Sequence, residues 1–272
     1  MGTPASFSRY TGDFVAWRGG CGLLGSGGHG RIDTHSHYAI QLAFAAPAGL
    51  KVKFGRQGEW RECAGALIPS AAPHTIDVDG CEWTAVLFVE PETAEGKALT
   101  ALLGGQCRYL DDAELLVAAK RLERAWRGEK DAAKVQALCQ QLVRDLAQAR
   151  SREPADPRVL AAIAYIQQRV DQQVTLEEVA AIAKLSPSRF RHLFVAETGM
   201  PLRTYLLWRR LLHVWTLLMQ GETLSRAAHA AGFADSAHLS RTSRTMFGLP
   251  PSAMEMTGPL SARLRVPQHY LG

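Results

Sequence analysis

The stretch LSPSRFRHLFVAETGMPLRTYL, Leu185 to Leu206, decides the reading of this chain. Ser186 is an N-cap residue and Pro187 follows at the first helical position, where its missing N–H costs nothing. Gly199 is placed to end the helix in a left-handed C′ conformation. Between these signals Phe190, Leu193 and Phe194 share one face, which leaves Ser188, Arg191 and His192 on the opposite surface near the helix start. Immediately upstream, Thr175 to Ala183 reads as another short helix. Thr175 and Glu178 are spaced as a capping box, and Leu176, Val179, Ala180 and Ala183 form its buried stripe. Two short helices joined at Lys184-Leu185 make a helix-turn-helix, the second helix being the one that offers its leading turns to a DNA major groove.

The same grammar returns about 48 residues later. Leu224 to Ala231 is a small alanine-rich helix, Gly232-Phe233 the turn, and Asp235 the cap of a final helix that Gly248 and Pro250-Pro251 stop. Its outer face carries Ser236, Ala237, Ser240, Arg241 and Arg244, while Leu239, Met246 and Phe247 face in. Pro201 to Gln220, strongly apolar, reads as a long helix joining the units. At about 1.5 Å per residue it spans roughly 30 Å, close to the ~34 Å repeat of the duplex.

The Leu185–Leu206 stretch, Arg210-Leu211, AGFADSAHLSR at Ala231–Arg241 and MFGLPP at Met246–Pro251 together resemble the AraC-type transcription regulators, over about 100 residues. That resemblance implies base or phosphate contacts from Ser188, Arg191 and His192 in the first unit, and from Ser236, Ala237, Ser240 and Arg241 in the second. It also implies double-stranded DNA and RNA polymerase as partners. Two positions depart from the pattern. Ser243 stands where the family buries an aromatic, which predicts an under-packed second unit, and Met254-Glu255 replace the common Tyr-Arg. Ala237 offers no hydrogen-bonding side chain, so the second unit is expected to add more affinity than discrimination.

Charge agrees with this division. Residues 1–150 hold 17 Lys/Arg against 17 Asp/Glu, and residues 151–272 hold 14 against 9, so the net +5 is all C-terminal. The five cysteines are scattered without a CxxC pair, as in a reducing compartment, and Cys21 reads as an inert thiol. No apolar run reaches the ~20 residues that span a bilayer, and the start lacks the order of a signal peptide, so a cytoplasmic protein is expected.

The N-terminal half reads as short strands punctuated by glycine and proline, including Tyr38–Ala46, Leu50–Phe54, Ala66–Ile68 and Trp83–Val89. Asp111 to Arg150 changes to apolar residues at three and four, two amphipathic helices broken near Gly128 that either cover the barrel or form a dimer interface. The expected fold is therefore multidomain. An all-β cupin-like barrel (1–110) with covering helices (111–150) is followed by a linker (151–157), an all-α domain with two helix-turn-helix units (158–257) and a tail (258–272).

The pattern His35-x-His37-x-x-x-Gln41, followed by Gly65, Pro69 and His74, is similar to the cupin motif. His35 and His37, two apart on one strand, point to one face, and His74 completes a set for a divalent metal. Gln41, in place of the usual carboxylate, is a poor metal ligand. The alternative use of His35, His37, Gln41 and His74 is to line an organic effector's pocket beside Trp17, Trp60 or Trp83. His29, beside glycines, reads as a loop residue. The leading function is a sequence-specific DNA-binding transcription regulator, not an enzyme, with an effector-sensing or dimerising N-terminal domain. Two other classes compete: a metal-dependent cupin enzyme with a helical appendage, and a module whose helical repeats hold protein.

Overall fold

A computed structural model of the chain describes residues 10–26, 30–46, 49–111, 113–147, 155–258 and 260. His29, positions 151–154 of the expected linker and all of the expected tail beyond residues 258 and 260 lie outside them. Two sheets form the N-terminal domain. The larger has the order β10-β7-β4-β9-β2-β1-β11, built from β1 (Tyr10–Trp17), β2 (Gly20–Ser26), β4 (Ile40–Ala46), β7 (Gly65–Ile68), β9 (Trp83–Val89), β10 (Arg108–Leu110) and β11 (Met254–Glu255). The smaller, β3-β8-β5-β6, uses β3 (Arg31–His35), β5 (Leu50–Phe54), β6 (Trp60–Cys63) and β8 (His74–Asp77). The domain is the expected cupin-like barrel.

Strand alternation sorts the side chains of the large sheet. In β9, Trp83, Ala85, Leu87 and Val89 face one core, while Phe88 between them faces another. The first of these faces is covered by α1 (Ala94–Leu103), α2 (Ala113–Arg124) and α3 (Ala132–Leu146). Leu115, Leu122, Trp126, Val135, Leu142 and Val143 pack there against Val15, Leu42 and Leu87. The Trp126 indole N–H also donates to Asp13 at 2.8 Å. The break near Gly128 is a π-turn over Ala125–Glu129, closed by Lys130 at φ 54°. The opposite face meets the small sheet at one end. At the other end Phe14, Leu23, Tyr38 and Phe88 join a single core with the C-terminal helices.

Those helices are α4 (Pro157–Gln167), α5 (Leu176–Ile182), α6 (Pro187–Thr198), α7 (Leu202–Met219), α8 (Leu224–Ala230) and α9 (Ser236–Phe247). Their caps are the ones the sequence announces. Thr175 and Glu178 form a capping box, Ser186 and Asp235 cap α6 and α9, and Gly199 and Gly248 end them at φ 79° and 71°.

Several expectations change. The strands β1, β2, β3, β6 and β8, helix α1 and strand β10 were not individually legible. The helical half begins at Pro157, and the residues before it are tied down. Ala155 donates to the Glu92 carbonyl at 2.9 Å and Asp156 N–H to Glu197 at 3.3 Å. Met254-Glu255, read as the end of the helical domain, instead forms β11, parallel to β1 with Tyr10 opposite Met254. Ser243 is fully buried, and its hydroxyl donates to the Leu249 carbonyl at 2.6 Å, which removes the penalty of an unpaired hydroxyl.

The two halves meet over α7. Arg209, 3% exposed, donates to Glu90 at 2.7 Å, and Tyr38 donates to Glu92 in a short hydrogen bond. Burial pushes the Glu90 carboxyl up and the guanidinium pulls it back. The Arg209 guanidinium keeps its proton, so the pair carries at least one buried charge. Removing one partner of a buried pair costs about 3–5 kcal/mol, whereas replacing both by apolar groups is often neutral. Arg209→Ala should lower unfolding stability by that amount, with Glu90→Leu/Arg209→Met recovering most of it in denaturant titrations.

Glu92 is pushed up from 4.5 to about 8, first by burial and then by the charge of Glu90. A carboxyl raised in the folded state contributes stability that is whole below about 4.5 and lost as pH rises through about 8. Thermal melts should therefore show stability falling between about pH 4.5 and about pH 8 and levelling off above that, a slope that Glu92→Gln flattens.

Candidate nucleic-acid interface and barrel chamber

Each helix-turn-helix presents the residues expected of it. On α6, Ser188, Arg191 and His192 are exposed while Phe190 and Phe194 are fully buried. On α9, Ser236, Ala237, Arg241 and Arg244 are exposed, Ser240 is half-buried, and Leu239 is buried. Both helix starts are capped, by Ser186 and Asp235, and stand at the positive end of a helix dipole. Arg189, the residue after Ser188, is exposed as well and is not among the residues the sequence singles out. Its exposure beside the N-cap is the signal that points to it.

α7 has 18 residues, about 27 Å at 1.5 Å each, somewhat shorter than the expected span. Tyr205, Trp208, Leu211, Val214 and Trp215 are all buried along it. Both recognition helices are held at their trailing ends by the barrel. Glu197, in the last turn of α6, pairs with Lys97 of α1 at 2.8 Å. Phe247, the last residue of α9, stacks on Trp208 at 5.4 Å and meets Phe88 of β9 edge-on at 5.5 Å. Gly248 then approaches β3 so closely that a Cβ would lie 2.6 Å from the Asp33 carbonyl oxygen and 2.7 Å from His35 Nδ1.

His35, His37 and His74 converge, all buried, with ring nitrogens within 4.8 Å of one another. Strand alternation is only part of the reason, which corrects the expectation. His35 ends β3 at an irregularity in its pairing with β8, whereas His37 lies beyond the strand. Gln41 Oε1 sits 2.5 Å from His37 Nε2. Burial lowers His35 to about 3 and His37 to about 4, and holds His74 well below the ordinary range, so the three rings are neutral at pH 7. Neutral imidazoles fit a metal's requirements.

Next to the histidines is a cavity of about 60 Å³. Tyr10, Leu23, Phe44, Ile76 and Phe88 supply barrel wall, His35 and Gln41 one polar corner, and Phe247, Leu249 and Met254 close it from the C-terminal half. The tryptophans expected there are elsewhere. Trp17 and Trp83 lie in the core under α1–α3, and Trp60 is an exposed rim residue beneath Arg31 and Lys53. Burial pushes the Cys21 thiol up, away from the reactive thiolate.

A helix-turn-helix domain family matches residues 179–256. A probable transcriptional regulator, LumQ of Photobacterium leiognathi, is 28% identical over 89 residues, covering 32% of this chain and 36% of its own length. Among solved structures, apo ToxT from Vibrio cholerae strain SCE256 superposes with a TM-score of 0.58 at 9% identity, over 88% of this chain and 97% of ToxT. ToxT with an unsaturated fatty acid bound gives 0.55 at 9% identity, over 93% and 96%. The class is thus a two-domain helix-turn-helix protein with a sheet-rich N-terminal domain. Residues 179–256 form a helix-turn-helix domain, and the fold of the whole chain is similar to that of ToxT. Among the described residues no helix is long and apolar enough to cross a membrane.

Gly248 lies at φ 71° against the Asp33 carbonyl, so Gly248→Ala meets both a left-handed backbone and a clash. The backbone effect alone is about 1–2 kcal/mol. The variant should melt earlier, with faster hydrogen exchange in α9 and β3 and none in α5.

Proposed function

We propose that the protein is a sequence-specific transcription regulator whose barrel senses a small effector and whose two recognition helices enter successive major grooves. The observation that carries this reading is the pairing of two exposed, N-capped, basic helix starts, on α6 and α9, across one rigid buried helix. Arg191 and Arg241 are the residues for guanine contact, since an arginine fork bonds O6 and N7 together. Ser188, His192, Ser236 and Ser240 supply further base or phosphate contacts, and Ala237 packs without hydrogen bonding.

Sensing follows from how the cavity is walled. ToxT has been seen with an unsaturated fatty acid bound. Here a cavity of about 60 Å³ holds only a few heavy atoms, since an engineered cavity of about 150 Å³ is what accommodates benzene. A longer apolar effector therefore displaces Phe247, Leu249 and Met254, the wall supplied by the C-terminal half. Its binding energy is then spent on moving α9, which is the differential interaction a two-state switch requires. Further partners under this reading are RNA polymerase and a second copy, for which the outer face of α2 exposes Leu116 and Val117.

Selection of bound fragments from random duplex DNA at two salt concentrations tests the proposal. Two sequence blocks about one helical turn apart are expected, each eroded by one of Arg191→Ala and Arg241→Ala. Loss of a bidentate pair, about 1–3 kcal/mol, weakens binding about 5- to 150-fold. Enrichment without a motif, or binding indifferent to salt, would overturn it.

A further inference from the structure

The histidine cluster carries more than a place in a pocket wall. His35 Nδ1 lies 2.8 Å from the Asp33 carbonyl oxygen, His37 Nδ1 2.8 Å from that of Ala39, and His74 Nδ1 2.9 Å from that of Ala72. A carbonyl oxygen only accepts, so each Nδ1 carries the single proton of its neutral ring. Each Nε2 is left with a bare lone pair. Second-shell carbonyls that fix histidines in this tautomer are what metal-binding imidazoles use.

Two observations show that the lone pairs lack what they are arranged for. His74 Nε2 is completely buried and has no hydrogen-bond partner, an omission that costs about 1–3 kcal/mol in a folded protein. His37 Nε2 faces Gln41 Oε1 at 2.5 Å, and with the His37 proton on Nδ1 those two acceptors repel. Turning the amide relieves that contact but does nothing for His74. A cation held by both sides relieves both. Bonds of about 2.1 Å place adjacent ligand nitrogens about 3.0–3.4 Å apart, so nitrogens within 4.8 Å close on an ion by ring rotations.

We infer that His35, His37 and His74, with Gln41 as the fourth donor, bind one divalent first-row transition ion, and that this ion braces the trailing end of α9. Imidazole donors select zinc, iron, nickel, cobalt or copper over magnesium and calcium, which require oxygen. The bracing comes from contact. His35 lies directly beneath Gly248, and His37 is 6.1 Å, ring to ring, from Trp208, on which Phe247 stacks. Fixing the three rings fixes the floor on which the second recognition helix ends. Its effect on DNA affinity rests on the regulator reading above; metal binding and bracing do not.

The test uses the full-length chain, stripped with a chelator and titrated with Co²⁺ and, separately, Mg²⁺. One equivalent of Co²⁺ retained after desalting, with visible ligand-field absorption and no response to Mg²⁺, is expected. His74→Ala and the conservative His35→Gln should weaken retention at least about 100-fold, beyond what loss of an outer-shell partner does, and His229→Ala should leave it unchanged. Gln41→Glu should tighten it. Circular dichroism establishes that each variant is folded. Should His74→Ala unfold, the His35→Gln and Gln41→Glu results decide.

A folded wild-type chain that retains no stoichiometric Co²⁺, or retention untouched by the histidine substitutions, would overturn the site. Bracing is read by hydrogen exchange over 239–248, which Co²⁺ should slow. Unchanged exchange with Co²⁺ bound would overturn the bracing alone. Failure to select any DNA motif would count against the regulator reading and leave both metal results standing.

Discussion

The ion pair between Arg209 and Glu90 sets the relation between the two halves of this molecule. Both groups are stripped of water, so each is tolerable only in the presence of the other. That makes the docking of α7 on β9 close to all-or-none. Around the pair lie Tyr38, Phe88, Trp208 and Phe247, an aromatic cluster drawn equally from barrel and helices. The apolar atoms supply most of the driving force, and the charges supply the register. The two halves built in this way share one sealed seam.

Both recognition helices share a division of labour along their length. Their starts are exposed and capped, while their ends are held by the barrel, through Lys97–Glu197 for α6 and through Phe247-Gly248 for α9. The two contacts differ in kind. A half-exposed ion pair weakens with salt, whereas a glycine against a carbonyl oxygen is steric and does not. The second unit is thus the one whose position depends more closely on the barrel's interior.

Local chemistry accounts for what was legible in the sequence. Caps, C′ glycines and the three-and-four spacing of Phe190 and Phe194 are signals written within a dozen residues, and the helical half follows from them. The barrel was harder to read because β2, GCGLLGS, and β1 are buried on both faces and show no polar alternation. β11 could not be read at all, since two residues become a strand only because β1 is there to pair with them. The histidines were legible by spacing, but the carbonyls that orient them come from backbone geometry. Ser243 misled in the other direction. Its buried hydroxyl reads as a defect until Leu249, six residues on, turns back to accept from it.

Strand β11 has one more consequence. The helical half leaves the barrel near Glu92, where Ala155 is pinned, and returns to it at β1, where Met254 pairs with Tyr10 and Gly258 donates to the Gly12 carbonyl. A segment fastened at two separated points cannot wander as a tethered ball does. The two attachments therefore constrain α6 and α9 together. Under the proposed regulator reading, a push from within the chamber would tilt the pair together, changing the angle at which they address the duplex while α7 keeps their spacing.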